Sequence, residues 1–297
     1  MITVICNACP FECNIDRAVK PGRCRATDEI EIAQAQLHFW EEPPVSGTRG
    51  SGTIFFSHCN LRCRFCQNYD ISQLGFGRKV RPERLVEIML QLEDQGAHNI
   101  NLVTPTHYTL QLIPVLEAAK QRLQIPILWN SNAYEKVETL RQLTGLVSIY
   151  LPDLKYFSDE LAQQFSSAPN YFKYASAAIM EMKRQVEENR YDEDGILKQG
   201  LIVRHLVLPG QIDDSKKILR WLRDNLGPQT QISLMAQYYP TYQAETLPDM
   251  NRRLRPSEYQ EIRNYFLDLG FEEGFLQELS SASADYTPDF EGRGIDS

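Results

Sequence analysis

Cys59, Cys63 and Cys66 stand together in residues 58–68, HCNLRCRFCQN, with Phe65 just before the last of them. Three thiolates at this spacing bind three corners of a four-iron, four-sulfur cluster and leave the fourth iron open to exchange. A structural zinc calls for a closed set of four ligands. His58 is adjacent, but neighbouring residues of a strand point to opposite faces, which weighs against its completing such a set. The open iron is read as the working end of the protein.

A second set, Cys6, Cys9, Cys13 and Cys24, is complete with four ligands and interrupted by Pro10, Pro21 and Gly22. Four soft ligands suit a structural zinc, and they equally suit a second iron–sulfur cluster. This segment is too short and polar to build its own core, so a metal would supply folding energy. The two sets use all seven cysteines of the 297 residues. The first residues, MITVICNACPFEC, lack the basic and then apolar run of a secretory signal, and no stretch reaches the ~18 apolar residues of a membrane span. A cytoplasmic location with reduced thiols follows, which argues against disulfides. The net charge of −8 argues against nucleic-acid partners.

The elements that must position these residues follow one rhythm from Gly52 onward. GTIFFS, HNINLVT, IPILWN, LVSIYLPDLK, LIVRHLVLPG and QISLMAQYYP are continuous apolar runs rich in strand formers. RPERLVEIMLQLEDQG, HYTLQLIPVLEAAKQRL, EKVETLRQLTG, SDELAQQFSS, NYFKYASAAIMEMKRQVEE, DSKKILRWLRDNLG and SEYQEIRNYFLDLG carry helical spacing. Pro114 predicts a late start or a kink in the second helix. YDEDGILKQG reads as a loop, residues 31–50 as a connector marked by EEPPVSGTRG, and the tail as polar and mobile. Six strand–helix units predict an α/β fold, a partial, open (β/α)6 TIM-like barrel with a small N-terminal cysteine-rich metal-binding segment. The expected division is residues 1–45 for the cysteine segment and connector, 46–275 for the barrel and 276–297 for the tail. Barrel chemistry sits on the loops after the strand C-termini, and the three-cysteine loop follows the first strand.

CNLRCRFC resembles the signature of the radical S-adenosylmethionine (SAM) enzymes, and the partial barrel is that superfamily's fold. The wider chain resembles the homologues of pyruvate formate-lyase activating enzyme that carry an N-terminal cysteine cluster, through EEPPVSGTRGSGTIFFSHCNLRCRFCQNYDISQ, NLVTPTH, LWNSNAYE, YLPDLKYF, VRHLVLPG and MAQYYP. The resemblance implies a [4Fe-4S] cluster on Cys59, Cys63 and Cys66, with SAM chelating the open iron. One electron would cleave the cofactor to methionine and a 5′-deoxyadenosyl radical that takes hydrogen from substrate. It also implies a reductant such as flavodoxin or ferredoxin, and a glycyl radical enzyme as a protein partner. Asp153 and Lys155 match an Asp-x-Lys pair that binds the ribose hydroxyls and the methionine carboxylate. Asn130, Ser131 and Asn132 match a turn that contacts ribose. Phe65 lies within the signature itself. Where many relatives carry Gly-Gly-Glu, this chain has Val103-Thr104-Pro105-Thr106-His107, so Thr104 and Thr106 take the place of the carboxylate that holds the methionine amino group.

Plainer readings stand beside these. Asp153 and Lys155 also read as an ion pair at a strand end, and His107 as a satisfied rim residue. One of Arg204 and His205 should face the barrel interior, and His205 is assigned to the cofactor. Gln237 and Tyr238 line the substrate space or pack. Gly50 and Gly52 form no dinucleotide fingerprint, since no strand precedes them. Beyond a glycyl-radical activase, the alternatives are radical modification of a small molecule or another protein side chain, and a non-catalytic electron-transfer module.

Overall fold

The structure, a computed structural model, describes residues 5–283 and 287–296. Parts of the expected N-terminal segment (1–4) and tail (284–286 and 297) lie outside the described residues. The strands, in chain order, are β1 Ile5–Cys6, β2 Ile15–Asp16, β3 Ile30–His38, β4 Ser51–Phe56, β5 Arg78–Val80, β6 Ile100–Val103, β7 Ile127–Ser131, β8 Ile149–Pro152, β9 Arg190–Tyr191, β10 Leu197–Leu206, β11 Gln231–Met235 and β12 Gly274–Leu276. β1 and β2 form a small antiparallel hairpin around the N-terminal cysteines. The main sheet runs β12-β11-β10-β8-β7-β6-β4-β3-β5, with β9 paired to β10. β4, β6, β7, β8, β10 and β11 are mutually parallel, and they are the six runs expected as strands. The ends do not meet, so the chain makes an open, partial TIM-like barrel.

Every residue of β4, β7, β8 and β11 is buried. That is what strands covered on both faces require, and it explains their uninterrupted apolar runs. Helices cover the outer face. Pro82–Asp94 buries Leu85, Val86, Ile88, Met89 and Leu92, the stripe that the spacing predicts. Asp159–Ser166 starts at a Ser158 cap whose Oγ accepts from the Leu161 N–H at 3.3 Å. The second helix starts late, at Thr109 after a 3-10 turn, and Pro114 sits inside Thr109–Lys120. Proline there forfeits one backbone hydrogen bond, and apolar burial of Leu112, Val115 and Leu116 outweighs it.

Three stretches differ from the sequence reading. Residues 31–50 are more than a connector: Ile30–His38 is a nine-residue strand antiparallel to β4 and β5. Residues 191–200 are not a loop, because Leu197 and Gln199 pair back onto Tyr191 and Arg190 across a turn at Gly195. The described tail packs rather than floats: Glu291 N–H donates to Gln34 Oε1, Ala35 N–H to Arg293 O, and Phe290 meets Phe55 edge-on at 5.3 Å. β3 offers an edge, and the tail satisfies part of it.

Gly52 on β4 has no room for a side chain. A Cβ there would stand 3.0 Å from Ala97 Cβ, from Leu92 Cβ and from the Asn99 carbonyl. Gly52→Ala should therefore lower stability by about 1–3 kcal/mol in denaturant unfolding. An unchanged midpoint would show that the helix–strand packing yields.

Candidate metal and cofactor site

The three-cysteine loop leaves the C-terminal end of β4 and is pinned on both sides. His58 takes positive φ, and its N–H donates to Ile71 O. Arg62 N–H donates to Ser166 O and Arg64 N–H to Phe165 O, which ties the loop to the end of Asp159–Ser166. Cys59 and Cys63 are buried and Cys66 is half-buried. Each sulfur faces a polar side chain. Asn132 Nδ2 donates to Cys59 Sγ at 3.5 Å, Ser166 Oγ donates to Cys63 Sγ at 3.0 Å, and Ser72 Oγ lies 3.1 Å from Cys66 Sγ. Burial pushes all three thiols up, Cys66 to about 11, with the charge of Cys63 adding to the rise at Cys59 and Cys66. As thiolates they need positive charge nearby, and a coordinated metal supplies it while displacing the protons. Hydrogen bonds to sulfur are the groups that tune a cluster. The chemistry of the donor set therefore fits an iron–sulfur group.

The three cysteines open on one cavity of about 590 Å³. Phe65, Thr104, Asn130, Ser131, Asn132, Asp153 and Lys155 line it too. Asp153 and Lys155 pair at 2.7 Å. Burial opposes the Asp153 charge, but Lys155 and Arg204 outweigh it and hold the carboxyl below its ordinary value. Burial likewise opposes the Lys155 charge, and Asp153 and Cys63 outweigh it. Tyr171 Oη shares its one proton between the carbonyls of Asn132 and Asp153, at 2.9 and 2.8 Å, and accepts from Lys155 N–H, so it locks the ends of β7 and β8 together. Thr104 takes positive φ, and its N–H donates to Asn130 O.

Other expected residues turn away. Thr106 does not line the cavity; its hydroxyl donates to Glu135 Oε1 at 2.9 Å. Ser131 donates to Glu135 Oε2, although it borders the cavity. Of the strand pair, Arg204 faces inward and His205 outward. His205 Nδ1 meets Leu154 O and Nε2 meets Ser215 Oγ, both at 2.8 Å, so the outer helix Ile212–Leu226 holds it and the cofactor assignment fails on geometry. His107 is likewise buried against Ser57 O at 2.8 Å. His58 Nε2 faces Glu31 at 3.3 Å. Gln237 lines the cavity, while Tyr238 packs on Phe65 and donates to Met250 O.

Sequence reasoning missed the other end of the cavity. Glu41, in EEPP, accepts from Arg204 at 2.9 Å and from Asn101 at 2.8 Å. Arg204 also donates to Asp153 at 3.0 Å and to Asn130 Oδ1. Glu42 lines the same space and is held above its ordinary value by burial and by Glu41, against the pull of Arg204. Two acids followed by two prolines, just after the His38-Phe39-Trp40 cluster, were the available signal.

Of the N-terminal cysteines, Cys6, Cys9 and Cys24 are buried and Cys13 is half-buried, and all are free thiols. A Cβ on Gly22 would stand 3.3 Å from Cys24 Sγ and 3.8 Å from Cys13 Sγ, so glycine leaves both sulfurs their space. Burial and the other three cysteines push Cys9 up to about 12. Among the described residues, no three His, Cys, Asp or Glu side chains converge closely enough for a single metal ion. The segment docks beside the first set: Arg62 Nη2 donates to Arg23 O, and Phe11 meets Tyr134 edge-on at 5.3 Å.

The family model described as the radical SAM superfamily matches residues 53–222. The chain belongs to the radical SAM superfamily. Members of this superfamily use a [4Fe-4S] cluster and SAM. A relative at 32% identity over 278 residues, 89% of this chain and 76% of the other, is the uncharacterized protein MJ0674 of Methanocaldococcus jannaschii. Among solved structures, SuiB of Streptococcus suis bound to S-adenosylmethionine aligns with a TM-score of 0.51 at 14% identity, over 76% of this chain and 50% of SuiB. Methylornithine synthase (PylB) aligns with a TM-score of 0.50 at 17% identity, over 79% of this chain and 74% of that one. These likenesses carry the radical SAM fold, and the chain spans half the length of SuiB. Among the described residues no helix is long and apolar enough to cross a membrane.

The outward His205 gives a pH signature. Its burial holds the imidazole down to about 4, against 6.5 when free. Stability from keeping it neutral, on the order of 3 kcal/mol, is complete above pH 6.5 and is lost as pH falls from there towards 4. The stability gap between wild type and His205→Gln should therefore narrow below pH 6.5. A constant gap would place the imidazole in water.

Proposed function

We propose that this chain is a radical SAM enzyme whose cluster is held by Cys59, Cys63 and Cys66, with SAM lying between that loop and the Asp153–Lys155 pair. The observation that carries this reading is that three thiols and an ion pair of opposite ligand preference open on one cavity. When bound, the cluster and SAM supply a one-electron cleavage of the cofactor's sulfur–carbon bond, giving methionine and a 5′-deoxyadenosyl radical for hydrogen abstraction.

The chain's own residues do the rest. Asn132, Ser166 and Ser72 stabilise negative charge on the three sulfurs. Asp153 offers acceptors to a ribose diol and Lys155 a cation to the methionine carboxylate. Asn130, Asn132 and Thr104 add polar contacts from the neighbouring strand ends. Phe65, buried on Tyr238, closes the rim against water, which a radical site requires. The resemblance to pyruvate formate-lyase activating enzyme homologues supports an activase acting on a glycyl radical enzyme, with flavodoxin or ferredoxin as reductant, in the cytoplasm. Cys6, Cys9, Cys13 and Cys24 would take zinc or a second iron–sulfur cluster, and for a single zinc ion the sulfurs would have to draw closer together than they stand in this structure. The set's place beside the first loop, where Arg62 feels both Cys59 and Cys24, suits a cluster that passes electrons inward.

Anaerobic incubation of reconstituted protein with SAM and dithionite should give 5′-deoxyadenosine, and Cys63→Ala should give none. Equal product from the variant would end the enzymatic reading. Asp153→Asn should weaken SAM binding about tenfold or more, the usual cost of losing a charged acceptor; unchanged affinity would leave Asp153 as a structural ion pair. Metal and sulfide analysis of a variant with Cys59, Cys63 and Cys66 all changed to Ala assigns the N-terminal set: iron with sulfide means a second cluster, and zinc alone means a structural site.

A further inference from the structure

The cavity has two ends, and the cofactor reading above accounts for only one of them. The cysteine loop follows the C-terminal end of β4. His38 pairs with Ser51, the first residue of β4, so Glu41 and Glu42 enter at the opposite end. β4 has six residues and spans about 17 Å, so the backbones that carry the two groups lie on opposite rims, while Arg204 bridges the Glu41 and Asp153 side chains that reach in from them. The backbone that carries the two carboxylates is pinned. Glu42 O accepts from the N–H groups of Val45 and Ser46, and Glu41 N–H donates to Ser46 Oγ at 3.1 Å.

Glu41 is fully engaged by Arg204, Asn101 and Asn130. Glu42 is not. It is 8% exposed, Ser233 bonds to its side chain, and among the described residues its Oε2 has no hydrogen-bond partner. The charged residues lining the cavity, among those described, are Glu41, Glu42 and Asp153 against Lys155 and Arg204, three acids to two bases. Arg204 is already committed to Asp153 and Glu41. A buried acceptor left open costs stability unless a ligand completes it. Leu206, Met235 and Phe275 line the cavity as apolar wall.

We propose that this floor binds a protonated nitrogen, an alkylammonium or guanidinium at the end of an apolar stem, with Glu42 as its counter-ion. The group is part of the substrate, and the radical chemistry would act on the stem that lies between floor and cluster. The inference rests on the radical SAM reading for the position of the reactive end only.

The test is anaerobic calorimetric titration of the reconstituted protein with butylamine, Nα-acetyl-lysine methylamide and the uncharged Nα-acetyl-norleucine methylamide, in wild type and Glu42→Gln. At least one cationic probe should bind tenfold or more tighter than the norleucine probe, and Glu42→Gln should erase that preference. Tighter binding of butylamine would mark a small amine as the source, and tighter binding of the blocked lysine a protein side chain. Glu42→Gln and Glu42→Met should melt at or above the wild-type temperature, because each removes a buried carboxylate whose Oε2 makes no hydrogen bond among the described residues. No preference for cations at millimolar probe, or a preference that survives Glu42→Gln, overturns the proposal. So does loss of SAM affinity in Glu42→Gln with the cationic probes unaffected, which would give the carboxylate to the cofactor. Failure of the radical SAM reading would show instead as absent 5′-deoxyadenosine, which this titration does not use.

Discussion

The Arg204 guanidinium sits in the middle of the barrel, and the arrangement of both halves of the cavity depends on it. It donates to Asp153 on the cysteine side, to Asn130 on β7 and to Glu41 on the floor. A buried charge is costly unless it is paired and hydrogen-bonded. Here burial works against the charge, and Asp153, Glu41 and Glu42 outweigh it. The same pairing keeps Asp153 ionised and correctly turned towards Lys155. It also explains how the apolar run Leu201-Ile202-Val203 of β10 continues into an Arg-His step. Alternation sends the arginine into the cavity and the histidine to Ser215 on the outer helix.

The cysteine loop poses the complementary problem of negative charge in a dry place. Burial drives the thiols towards protonation, and the surrounding Asn, Ser and Lys groups only partly oppose it. A metal cluster, as proposed, would resolve the conflict, because coordination replaces the protons with positive charge. The loop's backbone is anchored to the end of Asp159–Ser166, so little reorganisation would be needed on binding it.

The barrel and the cysteine loop were legible because their signals are local. Fully buried strands read as apolar runs, helices as 3.6-residue spacing, and three closely spaced cysteines need no tertiary information. Asp153 and Lys155 were legible because they follow the fourth apolar run at alternate positions, although β8 itself ends at Pro152. What escaped depends on contacts between distant segments. Thr106 and Ser131 look free in sequence, yet buried Glu135 claims both hydroxyls. Ser72 and Ser166 reach the sulfurs only through folding. Ile30–His38 reads as a connector because polar Glu31, Gln34 and Gln36 interrupt it, and it nonetheless pairs antiparallel with β4 on one side and β5 on the other. Glu41 and Glu42 become floor residues only once that strand is in place.

The central claim, that the cluster loop and the Asp153–Lys155 pair serve one shared cofactor, is tested most directly by electron paramagnetic resonance of the reduced, reconstituted protein. Addition of SAM, isotopically labelled at its amino nitrogen and carboxylate, should change the cluster signal and introduce couplings to both labels, and Asp153→Asn should require more cofactor for the same change. A cluster signal indifferent to SAM would contradict the account and leave the chain with a closed, non-catalytic centre.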